Sequence, residues 1–269
     1  MYSAADSLLV RRIPITSISD PSHKDSNPTT IVDTKLSKRK SDLIWVATSS
    51  GRVLAVNWRQ PLENPPEFRT STGTAKAISL VPIGPEKAAQ EAVVVLESDK
   101  PSRADLTAYL LNDDSTTSSE RLLGLKKPGQ GLQLLEASQD GSLLVGALND
   151  RLFIGAATHD PRDPFNKLRY EFLSFDTPDL ITSFDFKIDQ KPSQVGGSRS
   201  QNGPDSEGLL DIIVGGARGG IYLYHDALSR AKATGKSKSE HEALQAQKYH
   251  WHRKAVHSVK WSRDGKHIS

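Results

Sequence analysis

A strand–turn–strand pattern with glycine turns limits the possible folds of this chain more than any other feature of its sequence. The clearest copy runs from Gly131 to Ala157 and contains three apolar strands. The first turn is Ser138-x-Asp140-Gly141 and the second is Asn149-Asp150. Glycine supplies the positive φ that such turns need, and Asp tolerates it. Consecutive hairpins of this kind predict a meandering antiparallel sheet.

The same pattern returns along the chain, which distinguishes a repeat from a chance hairpin. Further copies run from Asp42 to Trp58, from Leu209 to Asp226 and, more weakly, from Glu91 to Leu111. The inner hairpin turns fall near residues 50, 101, 149 and 218, at intervals of about 50 and then about 70, against roughly 40–50 residues per blade of β-propellers. The insertion from Gln190 to Gly208 accounts for the longer interval. We therefore expect an all-β fold, a WD-repeat β-propeller with four-stranded antiparallel blades.

The last twenty residues read as the opening of one more WD repeat. Val256, Ser258, Val259 and Trp261 alternate as in a strand, and Ser262-Arg263-Asp264-Gly265 forms the next turn before a partner strand that begins at Ile268. The expected propeller is thus incomplete, with about four blades plus the start of another, and truncated within its last repeat. We assign 42–269 to this partial propeller and 1–41 to a poorly defined N-terminal strand and polar loop.

Four polar stretches are expected to interrupt the blades. Gln190 to Gly208 is rich in Ser, Gly, Pro and Gln, so it buries too little to offset its ordering entropy and should be a disordered loop. Asp226 to Lys248 mixes helix formers with a Lys/Ser run, and a short helix is expected at Glu240 to Gln247. Ser17 to Lys40 and Asp113 to Glu120 are interpreted as excursions between strands.

Several residues carry the repeat pattern and are expected to be structural. Trp58 and Tyr224 stand near the place of the WD-repeat Trp, and His252 is expected to be a buried hydrogen-bonding residue that ties a loop to a strand. The structural repeat residues are Gly51, Trp58, Asp140, Gly141, Gly219, Gly220, His252, Asp264 and Gly265.

Composition excludes several function classes. The chain has no Cys and one Met, which removes a disulfide scaffold, Cys-ligated zinc and a thiol nucleophile. No segment approaches the ~20 apolar residues of a membrane span. We predict no membrane partner, no small-molecule substrate and no cofactor. The net charge of +3 is too small to mark a nucleic-acid binder by itself.

Local basic clusters are the candidates for contact with RNA phosphate or an acidic partner. The candidate binding residues are Lys38, Arg39, Lys40, Lys126, Lys127, Arg253 and Lys254, and a further basic run spans Lys232 to Lys238. The first cluster could also serve as a nuclear import signal. Most short basic runs are solvated loop faces, so each cluster has this plainer interpretation as well.

The sequence predicts neither catalysis nor a metal site. Gly215 to Gly220 lies inside a strand–turn–strand and lacks the following helix and Lys-Ser/Thr of a phosphate loop. His250 and His252 could share a strand face, but no third ligand has a fixed spacing. The carboxylates of Asp160 to Pro164 lie in a turn fixed by two prolines.

The run Tyr249 to Ser269, YHWHRKAVHSVKWSRDGKHIS, resembles a repeat of the tandem WD-propeller subunit of the small-subunit processome, in its t-UTP (UTP-A) subcomplex. In that family a Leu-or-Tyr-His-Trp-His strand precedes the central repeat of the first propeller. The Gly215 to Gly220 hairpin is also similar, as is the order of a weak WD blade, a Phe-rich strand and Ile181 to Phe186. The similarity covers Asp42 to the end and is most specific at Tyr249 to Gly265.

This resemblance implies a non-catalytic scaffold of the nucleus and nucleolus. Its implied partners are other t-UTP subunits, processome proteins and pre-rRNA, and its implied role is to support RNA polymerase I transcription and early small-subunit pre-rRNA processing. Two alternatives remain open, because propellers are shared platforms. One is a WD adaptor of another complex, such as a ubiquitin ligase or trafficking machinery, without RNA contact; the other is a propeller enzyme.

Overall fold

The computed structural model describes residues 29–60, 62, 65–83, 90–100, 103–111, 116–126, 133–158, 168–189, 209–235, 244–250 and 253–269. These residues form four four-stranded sheets and one helix. Blade 1 comprises β1 Ile31–Leu36, β2 Leu43–Thr48, β3 Arg52–Asn57 and β4 Glu67–Arg69. Blade 2 comprises β5 Ala77–Ile83, β6 Gln90–Lys100, β7 Arg103–Leu111 and β8 Thr117–Lys126. Blade 3 comprises β9 Gln133–Ala137, β10 Leu143–Leu148, β11 Arg151–Ala157 and β12 Tyr170–Asp176. Blade 4 comprises β13 Ile181–Asp189, β14 Leu209–Gly216, β15 Gly220–Tyr224 and β16 Gln247–His250.

Each blade is an antiparallel meander in which every strand pairs with its neighbours along the chain. The first strands of blades 1, 2 and 3 lie side by side, β1 against β5 and β5 against β9. This is the radial arrangement of a β-propeller, here incomplete. The predicted all-β fold and its consecutive hairpins at Ser49 to Gly51, Asn149-Asp150 and Ala217 to Gly220 are confirmed.

The core consists of apolar layers between successive blades. Along β10, Leu144 and Leu148 face blade 2, while Leu143, Val145 and Ala147 face blade 4. Successive strand residues point to opposite faces, so a sheet covered on both faces is apolar at every position. This explains why β10 is buried throughout, whereas the innermost strand β1 is largely half-buried or exposed.

The turn repeat noted in the sequence is reproduced bond by bond. In blade 3, the Ser138 hydroxyl donates to Asp140 Oδ1 at 2.7 Å and accepts from the Leu143 amide at 2.9 Å. In the segment after blade 4, Ser262 makes the same two bonds, to Asp264 Oδ1 at 2.5 Å and from the His267 amide at 2.9 Å. The glycines have φ of 75° at Gly141 and 68° at Gly265.

Residues 256–269 take the position where a fifth blade begins. The Val256 amide donates to the Gly216 carbonyl at 3.1 Å, as the Ile181 amide of blade 4 donates to that of Asn149 in blade 3 at 2.7 Å. Val259 is buried against the outer face of blade 4. The expected strand from Val256 to Trp261 is reduced to one antiparallel bridge, Trp261 to Ile268.

Three expectations for the polar stretches are corrected. The helix, α1, spans Ala227–Gly235, not Glu240 to Gln247; residues 244–246 are irregular, Gln247 begins β16, and 240–243 lie outside the described residues. Parts of the two stretches interpreted as excursions are strands, namely β1 and the start of β8. The loop predicted at 190–208 also lies outside the described residues. None of the described helical structure is long and apolar enough to span a membrane.

Candidate interaction surface

The meander sorts the candidate residues between two faces of the propeller. Because strands within a blade alternate in direction, the turns that join the first strand of each blade to the second all lie on the same face of the propeller, here called the lower face. The hairpins that join the second strand to the third, and the links between blades, lie on the opposite face, here called the upper face. The turns around Lys38 to Lys40, Asp140 and Asp264 belong to the lower face, and Arg253-Lys254, in the link after β16, belong to the upper face.

Lys38 on the lower face is used inside the fold. Its Nζ donates to the carbonyl oxygens of Ala137 at 2.9 Å and Ser138 at 2.7 Å, so a lysine of blade 1 caps the end of a strand of blade 3. Burial of the ammonium end lowers the pKa of Lys38, and the nearby carboxylates of Glu136 and Glu91 oppose this shift. The residue as a whole is exposed. Its charge serves blade-to-blade contact.

Glu91 of β6 organises the rest of this basic turn. Its carboxylate accepts from the Ser37 hydroxyl at 2.6 Å and from the amides of Lys38 at 2.6 Å and Arg39 at 3.0 Å. Arg39 is half-buried and Lys40 is exposed. Of the three basic residues predicted as a binding cluster, the structure therefore leaves the Lys40 side chain as the one open to a partner.

Charged residues of β1 also join neighbouring blades. Lys35 forms an ion pair with Glu136 of blade 3. Asp33 accepts a hydrogen bond from the Ile78 amide of blade 2 at 3.0 Å, and burial raises the pKa of Asp33 despite the opposing charge of Lys35. These polar side chains hold the inner strands together.

On the upper face, Arg253 and Lys254 are exposed and lie close to the tip of the β14–β15 hairpin. The Val256 amide, two residues after Lys254, donates to the carbonyl of Gly216, two residues before Arg218. The Arg218 side chain is 74% exposed. The backbone thus places Arg218, Arg253 and Lys254 near the same upper edge of blade 4, and we call these three residues the blade 4 basic group.

Sequence reasoning missed Arg218, although it is central to this group. Its amide and Nε donate to the buried carboxylate of Asp179 at 2.8 and 3.2 Å. Asp179 belongs to the link between blades 3 and 4, so Arg218 both fastens that link and exposes its guanidinium. The available signal in the sequence was the arginine at the tip of the strand–turn–strand from Gly215 to Gly220.

The remaining basic candidates are only partly described. Lys126 ends β8 on the upper face, opposite Arg103 of β7, and its side chain is not described. Lys127 lies outside the described residues, as does His252 with its expected role. Lys232 belongs to α1, and 236–238 lie outside the described residues. Arg253 and Lys254 lie on the same upper edge of blade 4 as Arg218, whereas Lys38 to Lys40 lie in a turn of the lower face.

The other repeat residues lie at turns and strand ends. Gly51 has φ of 73°, and a Cβ there would meet the Thr70 hydroxyl oxygen at 2.4 Å. Trp58 follows β3 and donates through Nε1 to the Ser41 carbonyl at 3.0 Å. Gly219 has φ of 84°, and Gly220 begins β15, where a Cβ would meet the Tyr222 ring.

A buried polar cluster between blades 1 and 2 had no signal in the sequence. Glu97 is fully buried and accepts from the Tyr109 hydroxyl at 2.5 Å, the Ser71 hydroxyl at 2.9 Å and the Thr72 amide at 3.0 Å. Burial, with the hydrogen bond to Glu97, raises the pKa of Tyr109 to about 12. Such a buried carboxylate is tolerated because its hydrogen bonds are made.

Among the described residues, no three or more His, Cys, Asp or Glu side chains are grouped so that they could hold a metal ion. The closest polar arrangement is His225 between Asp211 at 3.2 Å and Gln247 at 3.3 Å, more than half exposed at the edge of blade 4.

Comparison with known proteins adds little to this picture. No protein-family model matches the chain, and no curated protein matches it. Among solved structures, it is similar to BBS1N in complex with ARL6DN, in a crystal soaked with lead, with a TM-score of 0.47 and 15% identity. The match covers 89% of this chain and 61% of that one, so this chain spans less than two thirds of its length. A likeness at this level carries no information about partners.

Proposed function

We propose that this chain is a non-catalytic nucleolar scaffold of ribosome biogenesis, in the t-UTP (UTP-A) part of the small-subunit processome. There it supports pre-rRNA transcription by RNA polymerase I and early small-subunit pre-rRNA processing. The observation that carries the proposal is the motif from Tyr249 to Gly265, which resembles that family.

The setting of the motif in the fold agrees with this resemblance. Tyr249 and His250 end β16, the outermost strand of blade 4, and the residues after them open the next repeat through the Ser262 to Gly265 turn. In the family the Tyr-His-Trp-His strand likewise precedes a repeat. The position of Tyr249 and His250 before this repeat supports the proposal.

The use of the inner carboxylates supports a scaffold over a propeller enzyme. An enzyme needs acid or base groups that reach a substrate. Here Asp33 binds the Ile78 amide, Glu91 binds the turn after β1, and Asp185 accepts from the Trp261 amide at 2.9 Å. Each of these carboxylates is occupied in joining one blade to another.

The blade 4 basic group is the surface proposed for pre-rRNA phosphate or an acidic processome protein. Exposed arginine and lysine attract phosphate at long range, and the attraction weakens with salt. Lys38 does not contribute to this surface, because its ammonium group is directed to blade 3.

A second candidate function is a WD adaptor in a ubiquitin ligase or trafficking complex, with no RNA contact. The observation in its favour is the internal use of Lys38, which removes a cation from one of the basic clusters predicted to contact RNA phosphate. Purification of the tagged protein from its own cells, followed by mass spectrometry, separates the two functions. Recovery of t-UTP and processome subunits supports the first, and recovery of a ligase core or coat proteins supports the second.

The RNA contact is tested by charge reversal. The double variant Arg253→Glu/Lys254→Glu should crosslink less pre-rRNA in cells than the unchanged protein, and its deficit in binding should shrink as salt rises in vitro. The matched control is Arg263→Glu/Lys266→Glu, which replaces one arginine and one lysine in the same way at exposed residues of the lower face. Equal crosslinking by the two double variants removes the blade 4 basic group from the RNA surface.

A further inference from the structure

The hairpin between β6 and β7 extends further on the upper face than the hairpins of the other blades. The last residue of β6 that pairs with β5 is Leu96, and residues 97–105 follow before the chain returns to its partner Leu106. The corresponding turns are only 49–51 in blade 1 and 217–219 in blade 4.

The last strand of blade 2 accompanies this extension, because residues 124–126 of β8 pair with residues 103–105. We call residues 97–105 and 124–126 the blade 2 arm. The first strands of blades 1 and 3 lie on either side of that of blade 2. The arm therefore does not lie at an end of the incomplete ring.

Hydrogen bonds fix the arm at its base and near its tip. At the base, buried Glu97 binds the link between blades 1 and 2, and the Ser98 amide donates to the Thr74 hydroxyl of that link at 3.2 Å. Near the tip, the Ser98 hydroxyl lies 3.0 Å from each of the carbonyl oxygens of Lys100 and Arg103. A surface that is already ordered loses less conformational entropy when it binds a partner.

Two arginine side chains converge on one carboxylate of the arm. Arg103 approaches Asp105 through Nη2 at 3.0 Å and through Nε at 3.3 Å, and Arg121 approaches it through Nη2 at 2.6 Å. The arginine side chains are 54% and 52% exposed, whereas that of Asp105 is 14% exposed. The carboxylate thus positions two guanidinium groups that both remain open to solvent, and it neutralises one of their two charges.

Gly124 provides the space for this arrangement. It is exposed and pairs with Asp105 across the sheet. A Cβ at this position would lie 2.0 Å from Nη2 of Arg121. Glycine within a strand often marks a place where another group approaches closely. The Arg121 guanidinium therefore lies across β8 at the residue that has no side chain.

A row of basic positions crosses the tip of the arm. Lys100 pairs with Arg103, and Arg103 pairs with Lys126. Like charges directly opposite each other on neighbouring strands are destabilising. Lys100 is exposed, and its ammonium group forms no ion pair within the described part of the chain. With Arg121, the basic residues of the arm outnumber its acidic residues, which are Glu97, Asp99 and Asp105. A bound anion would reduce the repulsion in this row.

The chemistry of the arm favours a phosphate backbone over an acidic protein. Protein interfaces centre on aromatic or apolar anchors that become buried. The large apolar side chains that are exposed in the described residues all lie outside the arm. A phosphate backbone is bound through charge and hydrogen bonds alone, and guanidinium groups match the geometry of phosphate oxygens.

We propose that the blade 2 arm binds RNA through its phosphate groups, with the guanidinium groups of Arg103 and Arg121 and the ammonium group of Lys100 as donors. The contact is independent of base sequence, because the described arm offers no exposed aromatic ring for base stacking. This surface is distinct from the blade 4 basic group, although both lie on the upper face. The choice of RNA rests on the proposed function, whereas the geometry of the anion site does not.

The probe is a short, fluorescein-labelled oligouridine, titrated with the full chain in an anisotropy assay at several salt concentrations. Lys100→Gln should weaken binding about threefold, the size expected of one exposed ion pair. It should also reduce the slope of log binding constant against log salt by about 0.7, as for the loss of one phosphate contact to a single strand. The matched control is Lys266→Gln, at an exposed lysine of the lower face, which should bind like the unchanged chain.

Gly124→Ala tests the geometry of the site without changing any charge. The new Cβ displaces the end of the flexible Arg121 side chain, so we expect the fold to persist and RNA binding to weaken about threefold. The matched control is Gly73→Ala, whose Cβ would meet nothing within 4 Å, and it should bind like the unchanged chain. Circular dichroism checks the fold of each variant.

The outcomes separate the arm from the blade 4 basic group. In the Arg253→Glu/Lys254→Glu background, Lys100→Gln should still weaken binding about threefold. If only the blade 4 variant loses binding, while Lys100→Gln and Gly124→Ala bind like the unchanged chain, the inference about the arm is wrong and the blade 4 surface stands. Absence of saturable RNA binding also overturns it. So does a polyglutamate peptide of matched length that binds as tightly as the RNA and responds to the same variants, because the partner is then an acidic protein.

Discussion

Alanine substitution of two turn glycines separates backbone strain from packing between blades. Gly73 and Gly141 have nearly the same positive φ, 71° and 75°. An L residue in this region is strained by roughly 1–2 kcal/mol. A Cβ at Gly73 meets nothing within 4 Å, whereas one at Gly141 meets Val81 Cγ1 at 2.9 Å and Pro82 Cδ at 3.1 Å. The first variant therefore measures strain alone, and the second adds a clash.

The clash between a Cβ at residue 141 and Val81 is expected to lower stability, because the Val81 side chain cannot move easily. Val81 is fully buried within blade 2, and overpacking of a core costs about 1–3 kcal/mol. We expect Gly73→Ala to lower the free energy of unfolding by about 1 kcal/mol, and Gly141→Ala by about 2–4 kcal/mol. Gly141→Val should be at least as destabilising as the alanine variant.

Urea unfolding followed by circular dichroism measures both variants on the same scale. Gly265→Ala is a third member of the series, since its Cβ would meet only the flexible Lys187 side chain, at 3.3 Å, and it should resemble Gly73→Ala. Equal unfolding free energies for the Gly73 and Gly141 variants would refute the reasoning that the Ser138 turn packs tightly on blade 2.

Three further predictions concern polar side chains that make contacts within the fold. Glu97→Gln should lower the free energy of unfolding by about 1–3 kcal/mol, because Gln places a donor among the donors that now bind the carboxylate; an unchanged urea midpoint argues against this. The pKa of Tyr109 is raised to about 12, so its contribution to stability is present below pH ~10 and is lost as the pH rises toward 12. Absorbance at 295 nm should show a titration step near pH 12 that Tyr109→Phe abolishes. Persistence of that step in the variant would assign it to another tyrosine. Lys38→Ala should lower the unfolding free energy by about 1 kcal/mol while Lys40→Ala leaves it unchanged, and equal melting temperatures of these two variants would contradict a structural role for Lys38.

The hairpins could be predicted from the sequence because the signal for each is local. In the Ser138 turn, all the hydrogen bonds that define it lie within six residues, and glycine marks the positive φ. The same sequence pattern predicted the Ser262 turn and the incomplete fifth repeat. Apolar alternation then located most of the remaining strands.

The inner strand and the Lys38 contact could not be predicted, because their causes are long-range. Strand β1, IVDTKL, looks polar since its charged side chains bind blades 2 and 3. The contact between Lys38 and the Ala137 carbonyl spans 99 residues, so the sequence shows only a basic tripeptide.

The misplaced helix has a similar explanation. Residues 240–247 have helix-forming composition, but Gln247 and the residues after it pair with β15 as the last strand of blade 4. That tertiary pairing overrides local propensity. The observed helix follows Asp226, a residue type that favours the position before a helix, and its carboxylate accepts from the Ser229 hydroxyl at 2.8 Å. The composition argument did not weigh this start signal.

Pre-rRNA analysis after rapid depletion of the protein tests the proposed scaffold role most directly. Pulse labelling and hybridisation of ribosomal RNA follow both transcription and early cleavage. A processome scaffold of this kind predicts reduced pre-rRNA synthesis and a selective loss of small-subunit rRNA, with unprocessed precursor accumulating. Unchanged synthesis and an unchanged ratio of small-subunit to large-subunit rRNA after complete depletion would contradict it.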